Sequence, residues 1–192
     1  NKIAYQLQSL DGLSDILIQN TDNQHFERHI TSLDISALYY HANHQRLYVG
    51  DQAGMIRYFD QEYQLAEYSY INSSVSSLTG AGNYLISYDD SGAWGTLSSF
   101  DTMGELQDSK EWRNYSNHYA FNQTNERIYH FRDGTSPNDL ISEKIDQTTG
   151  VLSDEKDSPY HGDYLIKGPI LVSPDGLIIT LGSGDYYDAE TL

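Results

Sequence analysis

The side chains best suited to chemistry in this chain sit at turns. Asp11, Asp51, Asp89, Asp90, Asp133 and Asp185 each stand in a short Gly-containing turn, and the turns recur along the whole chain. Carboxylates gathered on one face would suit a hard cation such as calcium. An Asp beside Gly serves the turn itself equally well, by accepting from nearby backbone N–H groups. No stretch has the spacing of an EF-hand loop. A bound cation is therefore the only cofactor expectation, and no other cofactor is predicted. Trp94 follows Asp89 and Asp90 in the same turn. Its indole would stack on a sugar or peptide, or pack on a neighbouring repeat. Arg132 and Asp133 open the most extended of these turns, 132–138. Trp94, Asp89, Asp90, Arg132 and Asp133 are the candidate ligand-binding residues, and no catalytic residue is assigned.

The other reactive side chains form no constellation. His25 and His29 lie in a segment that reads as strand, which places them about 13 Å apart, too far to share an ion. His41 and His44 flank a turn and are expected as a pair of exposed imidazoles. A Ser-His-Asp triad requires a three-dimensional arrangement that no local context here selects. Neither a phosphate-binding Gly-Lys-Ser/Thr loop nor a Gly-x-Gly-x-x-Gly fingerprint occurs. Cysteine is absent, which excludes disulfides, thiolate zinc sites and Cys nucleophiles. Asn72, Asn114 and Asn122 fit the glycosylation pattern, which matters only in a eukaryotic secretory setting.

The elements that must position these turns are short strands. Residues 36–71 are the most regular stretch: Ala37-Leu38-Tyr39-Tyr40, Arg46-Leu47-Tyr48-Val49, Met55-Ile56-Arg57-Tyr58-Phe59, then 65–71. Tyr, Val, Ile and Phe suit a pleated, half-buried surface, and Gly, Asn and Asp fill the intervening turns. No run is long enough to read as a helix. An apolar-Asp pair closes the third run of four repeats, as Phe59-Asp60, Phe100-Asp101, Ile145-Asp146 and Tyr187-Asp188, with Gln19-Asn20 at the corresponding place in the first. The period is about 40–45 residues, that of a four-stranded propeller blade. The fold class is therefore all-β, a β-propeller or partial propeller. Its five repeats fall at about 1–33, 34–72, 73–114, 115–162 and 163–192. The first repeat lacks its innermost strand and the last its outermost, which gives eighteen strands. This predicts a single propeller domain or a fragment of one, cut from a longer ring or closed by another chain, with open blade edges available for association.

Charge narrows the partners. The formal charge is −17, from 11 Lys and Arg against 28 Asp and Glu. Phosphate backbones and anionic bilayers repel such a surface, so neither nucleic acid nor membrane insertion is expected. No apolar run approaches the ~20 residues of a membrane span.

Two resemblances sharpen the fold. Ser173-Pro174-Asp175-Gly176 resembles the turn of bacterial propellers of the YVTN and TolB type, in one blade of five. The apolar-Asp pair is similar to the Trp-Asp ending of WD40 blades, without the Trp. The stretch 87–94 departs from the Asp-box of sialidase propellers, with Asp89 to Gly92 one residue longer and Gly92 to Trp94 one shorter, and so reads as a tight turn carrying an exposed Trp. These likenesses imply a ring that binds at its face, and such folds host many functions. The expectation is a non-catalytic binding or scaffold module, part of a larger bacterial protein, presenting loop residues to a protein, peptide or glycan. The alternative is a lactonase-like or quinoprotein-like propeller enzyme with a central metal or cofactor. The expected compartment is extracellular or periplasmic, with the cytoplasm left open.

Overall fold

The computed structural model describes residues 2–8, 14–113, 116–131 and 137–192. Among these residues, eighteen strands and no helix form five antiparallel sheets. The first sheet holds β1 (Lys2–Gln8), β2 (Ser14–Asn20) and β3 (His25–Leu33). The second holds β4 (Ile35–His41), β5 (Arg46–Asp51), β6 (Met55–Phe59) and β7 (Leu65–Tyr70). The third holds β8 (Val75–Ala81), β9 (Tyr84–Asp89), β10 (Thr96–Phe100) and β11 (Leu106–Glu111). The fourth holds β12 (His118–Asn122), β13 (Arg127–Phe131), β14 (Ile141–Ile145) and β15 (Leu152–Asp157). The fifth holds β16 (Ile170–Val172), β17 (Ile178–Leu181) and β18 (Tyr186–Asp188). Strand order in every sheet follows the chain, so each is a meander, and no backbone pairing among the described residues joins the last sheet to the first.

The sheets stand side by side and meet face to face. The first strands β4, β8, β12 and β16 are neighbours in that order. Successive residues of a strand point to opposite faces. Leu47 and Val49 of β5 therefore enter the cluster shared with Ile16 and Ile18 of the first sheet, while Tyr48 enters the one shared with Val75, Leu78, Leu85 and Phe100 of the third. In β9, Tyr84, Ile86 and Tyr88 face Ile128, Ile145 and Leu152 of the fourth sheet. Tyr129 and Phe131 of β13 face Ile170, Ile179, Leu181 and Tyr187 of the fifth. The second strand of the middle sheets is thus buried on both faces, which is why 47–50, 84–88 and 127–131 read as near-continuous buried runs.

The meander sorts the connections between two ends. Turns between first and second strands, and between third and fourth, lie at one end of the blades. Turns between second and third strands, and the connectors to the next sheet, lie at the other. At the first end one device repeats. Asp60 Oδ1 accepts from Glu62 and Gln64 N–H, Asp101 Oδ1 from Met103 and Glu105, Asp146 Oδ1 from Thr148 and Thr149, and Asp188 Oδ1 from Glu190 and Thr191. The apolar-Asp marker is an Asx turn that follows the third strand of the second, third and fourth sheets and the last strand of the fifth.

The seam between the second and third sheets overturns the expectation of exposed imidazoles at His41 and His44. His41 is 3% exposed, and its ring stacks on that of His44 at 3.7 Å and 6°. His41 Nε2 donates to the Tyr84 carbonyl at 3.1 Å, which leaves Nδ1 to accept from His44 N–H at 3.4 Å. His44 Nε2 donates to the Asn83 carbonyl at 2.8 Å and its Nδ1 accepts from Tyr48 OH at 2.7 Å. A second proton on His41 Nδ1 would face an amide donor. Burial, and then the neighbouring His44, lower its pKa from 6.5 to about 4. Burial lowers the His44 pKa too, an effect that its bond to the Asn83 carbonyl opposes and Arg46 reinforces.

The neutral imidazole is favoured by the fold, so its contribution to stability is fully present above pH 6.5. That contribution declines below 6.5 and is lost as pH falls through about 4. His41 adds an acid slope of up to about 1.4 kcal/mol per pH unit across that window. Thermal melts at pH 7.5 and 4.5 should show a lower midpoint in acid, and His41→Asn should narrow the gap between the two. An unchanged gap would show that His41 is not protonated on unfolding.

Candidate functional site

The connector-bearing end of the third sheet carries the most developed surface feature among the described residues. It is built from two pieces of chain, the 89–95 turn between β9 and β10 and residues 112–113, the start of the connector that follows β11. In the turn, Asp89 Oδ1 accepts from Ser91 N–H at 2.7 Å and Thr96 Oγ1 donates to the Ser91 carbonyl at 2.9 Å. Gly95 has φ +87°, and a Cβ there would collide with the Tyr88 hydroxyl, so the turn requires glycine. The connector then closes over the turn. Trp112 N–H donates to the Ala93 carbonyl at 2.8 Å and Arg113 N–H to the Gly95 carbonyl at 3.2 Å.

These bonds bring two indoles together. Trp94 and Trp112 lie with ring centroids 6.2 Å apart and planes 16° from parallel, an offset stack. Both have left-handed backbone, φ +65°, and remain 48% and 59% exposed. They are the only tryptophans in the chain.

Arg113 fixes the connector from beneath. Its Nε and Nη2 donate to the two carboxylate oxygens of Glu143, each at 2.7 Å, a bidentate pair. Its Nη1 donates to the Glu111 carbonyl at 2.8 Å and lies 2.7 Å from Glu155 Oε2. The Glu143 side chain is 1% exposed and that of Arg113 11%. Burial by itself would lower the Arg113 pKa, but the Glu143 bond together with the charges of Glu143, Glu155 and Asp108 outweighs it and raises the pKa. Glu155 is pushed up by burial, an effect that Glu143 reinforces and Arg113 opposes. Deeper still, Ser116 Oγ donates to the Arg113 carbonyl at 2.9 Å and so accepts from His130 Nδ1 at 2.9 Å. Burial and the nearby Arg113 lower His130 to about 3. This Ser–His contact is sealed inside the seam, with Ser116 and His130 at 1% and 0% exposure.

The structure places the candidate residues as follows. Trp94 and Asp90 are exposed in the same turn. Asp89 belongs to that turn but is 2% exposed, with its carboxylate committed to the backbone of Ser91. Arg132 and Asp133 lie outside the described residues, as does Asp11. Asp51 accepts from Met55 N–H at 2.9 Å and pairs with Arg57 at 2.6 Å, and Asp185 accepts from Ser183 Oγ at 2.7 Å. Each of these carboxylates serves its own turn on its own sheet. Among the described residues no three His, Asp or Glu side chains form a group that could hold a metal ion. His25 and His29 lie on β3. Asn122 is 1% exposed and its amide donates to the Gly176 carbonyl, whereas Asn72 is exposed. No described helix is long and apolar enough to cross a membrane.

Trp112, Arg113 and Glu143 escaped the sequence reading. One signal was available for Glu143. It stands between Ile141 and Ile145 at the same parity of β14, a carboxylate on a buried face that needs a cationic partner.

No family model matches the chain, and no curated protein matches it in sequence. In structure it is similar to a chain of the mitotic checkpoint complex, with TM-score 0.72 and 13% identity over 100% of this chain. It spans 58% of that chain. It is also similar to a putative 6-phosphogluconolactonase from Bacteroides uniformis, with TM-score 0.66 and 10% identity over 99% of this chain and 67% of the other. A chain of the nidogen/laminin complex gives TM-score 0.66 and 9% identity over 94% and 70% of the two chains. At such identities the likeness is one of fold. The protein has β-propeller architecture, five successive blades whose ring is not closed among the described residues.

Removing the carboxylate beneath the connector tests this construction. Glu143→Ala leaves a nearly buried guanidinium with the Glu111 carbonyl and the half-exposed Glu155 carboxylate, and should cost about 3 kcal/mol in urea unfolding. It should also shift the tryptophan emission as Trp112 is released. Glu155→Gln, at an exposed partner, should cost less than about 1 kcal/mol. The reverse order of the two costs would show that Glu143 does not hold the connector.

Proposed function

We propose that this chain is a non-catalytic binding module that presents the Trp94–Trp112 corner of its third blade to a protein partner. The observation that carries this reading is the pair itself. Two large aromatic side chains, the residue type most enriched at binding hot spots, stand half-exposed on a connector anchored by a buried ion pair. Trp and Tyr supply contact area at low entropic cost when their backbone is already held, and here hydrogen bonds to Ala93 and Gly95 hold it. Two of the similar structures are protein complexes, which supports a protein partner in general. The likeness to a putative lactonase is at 10% identity and lends the enzyme alternative no residue.

Peptide and glycan arrays probed with the labelled chain test the reading. Ligands retained by the wild type should be lost, by about tenfold or more, in the double variant Trp94→Ala, Trp112→Ala. Far-UV circular dichroism should be unchanged, since both rings are peripheral to the blade seams. Array binding that survives the double substitution would reject this corner as the binding surface.

A further inference from the structure

The corner is acidic as well as aromatic, and this bears on what it takes. Asp90 is exposed in the same turn that carries Trp94. Glu111 ends β11 immediately before Trp112, and its carboxylate lies over Gly92, where a Cβ would come within 2.7 Å of Oε1. Glu155 reaches the surface beside them with its side chain 40% exposed. Among the described residues, neither Asp90 nor Glu111 has a side-chain ion pair with a Lys, Arg or His. Of the nearby cations, Arg113 is engaged by Glu143 and Glu155, and Lys110 pairs with Asp108. The negative field extends inward: Asp90 contributes to raising the Tyr119 hydroxyl, after burial, and Asp157 contributes to raising Glu155.

An indole face attracts cations through its quadrupole, and guanidinium both stacks on the ring and bonds carboxylates in a planar fork. The chain uses such a contact internally, where the Arg46 guanidinium lies 4.1 Å from the Tyr58 ring centroid. Resting on the reading of the corner as a binding surface, the geometry points to an arginine-bearing basic segment of a protein as its ligand. A guanidinium would lie on the exposed indole surface of Trp94 and Trp112 while Asp90 and Glu111 accept its N–H groups. The net charge of −17 steers such a partner toward the chain, and the local carboxylates beside the rings select where it docks.

The two tryptophans of the chain are the two in this pair, so intrinsic tryptophan emission reports on the corner alone. The experiment titrates the chain with tetra-arginine, tetra-lysine and tetra-glutamate peptides. Tetra-arginine should give a saturable emission change, tetra-lysine a weaker one and tetra-glutamate none. The double variant Asp90→Asn, Glu111→Gln should weaken tetra-arginine about tenfold, and Trp112→Ala, which leaves Trp94 as reporter, by a similar factor. Glu62→Gln, an exposed carboxylate at the opposite end of the blades, should leave affinity unchanged.

Absence of a saturable change with tetra-arginine overturns the proposal. So does equal weakening by Glu62→Gln, which would reduce the binding to general attraction by net charge. Neutral peptides or glycans that bind the wild type and are lost in the double tryptophan variant would keep the corner as a binding surface while overturning its cationic ligand. Array binding unaffected by loss of both tryptophans would remove the surface itself.

Discussion

Each blade is held by a constraint that its central strand imposes. In β5, β9 and β13 nearly every side chain is buried, alternately toward the preceding and the following sheet. A four-stranded meander with two apolar faces cannot bury both by itself, so each sheet requires a neighbour on either side. The clusters centred on Tyr48, Leu85 and Phe100, on Ile86, Leu97 and Ile128, and on Phe131, Ile170 and Ile179 are three expressions of the same rule. Stacking sheets in this way orients all the strands alike, and so sorts the turns between two ends.

The ends are used differently. At one, Asp60, Asp101, Asp146 and Asp188 repeat a single local hydrogen-bond pattern, and the blades look alike. At the other, the connectors differ from blade to blade. The connector from the third to the fourth blade is tied by the Arg113–Glu143 pair, which crosses the seam between them. A buried bidentate pair of this kind adds little net stability compared with an apolar contact of the same shape, but it admits only one geometry. That geometry sets Trp112 against Trp94 and leaves both rings half in solvent. The seam beneath is polar and closed, with Ser116 and His130 bonded to one another and sealed away.

Much of the architecture was legible in the chain because it is local. The β-prone run Arg46-Leu47-Tyr48-Val49, Gly and Asp at the hairpins, and the Asp after most third runs depend only on near neighbours, and the strands and sheets follow them closely. The site was legible in part for the same reason. Trp94 and Asp90 stand out because their turn is elaborate, and they share an exposed surface. Asp89 has the same local signature as Asp90, yet it is buried, because strand parity turns it into the seam beside Val75, its partner on β8. His41 and His44 carried the signature of an exposed turn pair, and only the arrival of Tyr84 and Asn83 from the next blade closes over them.

The amino-acid sequence by itself determined the repeat, the strand plan, the acidity of the surface and the turn chemistry of the recurrent carboxylates, since each is written in residue type and spacing within a few positions. Tertiary structure alone decided that Trp94 and Trp112, eighteen positions apart, form one surface, and that Arg113 spends its charge on Glu143, thirty positions further along. The reason is physical. Such contacts arise where sheets meet and connectors cross, and the partners a side chain finds there are fixed by the packing of neighbouring blades, not by its own stretch of chain.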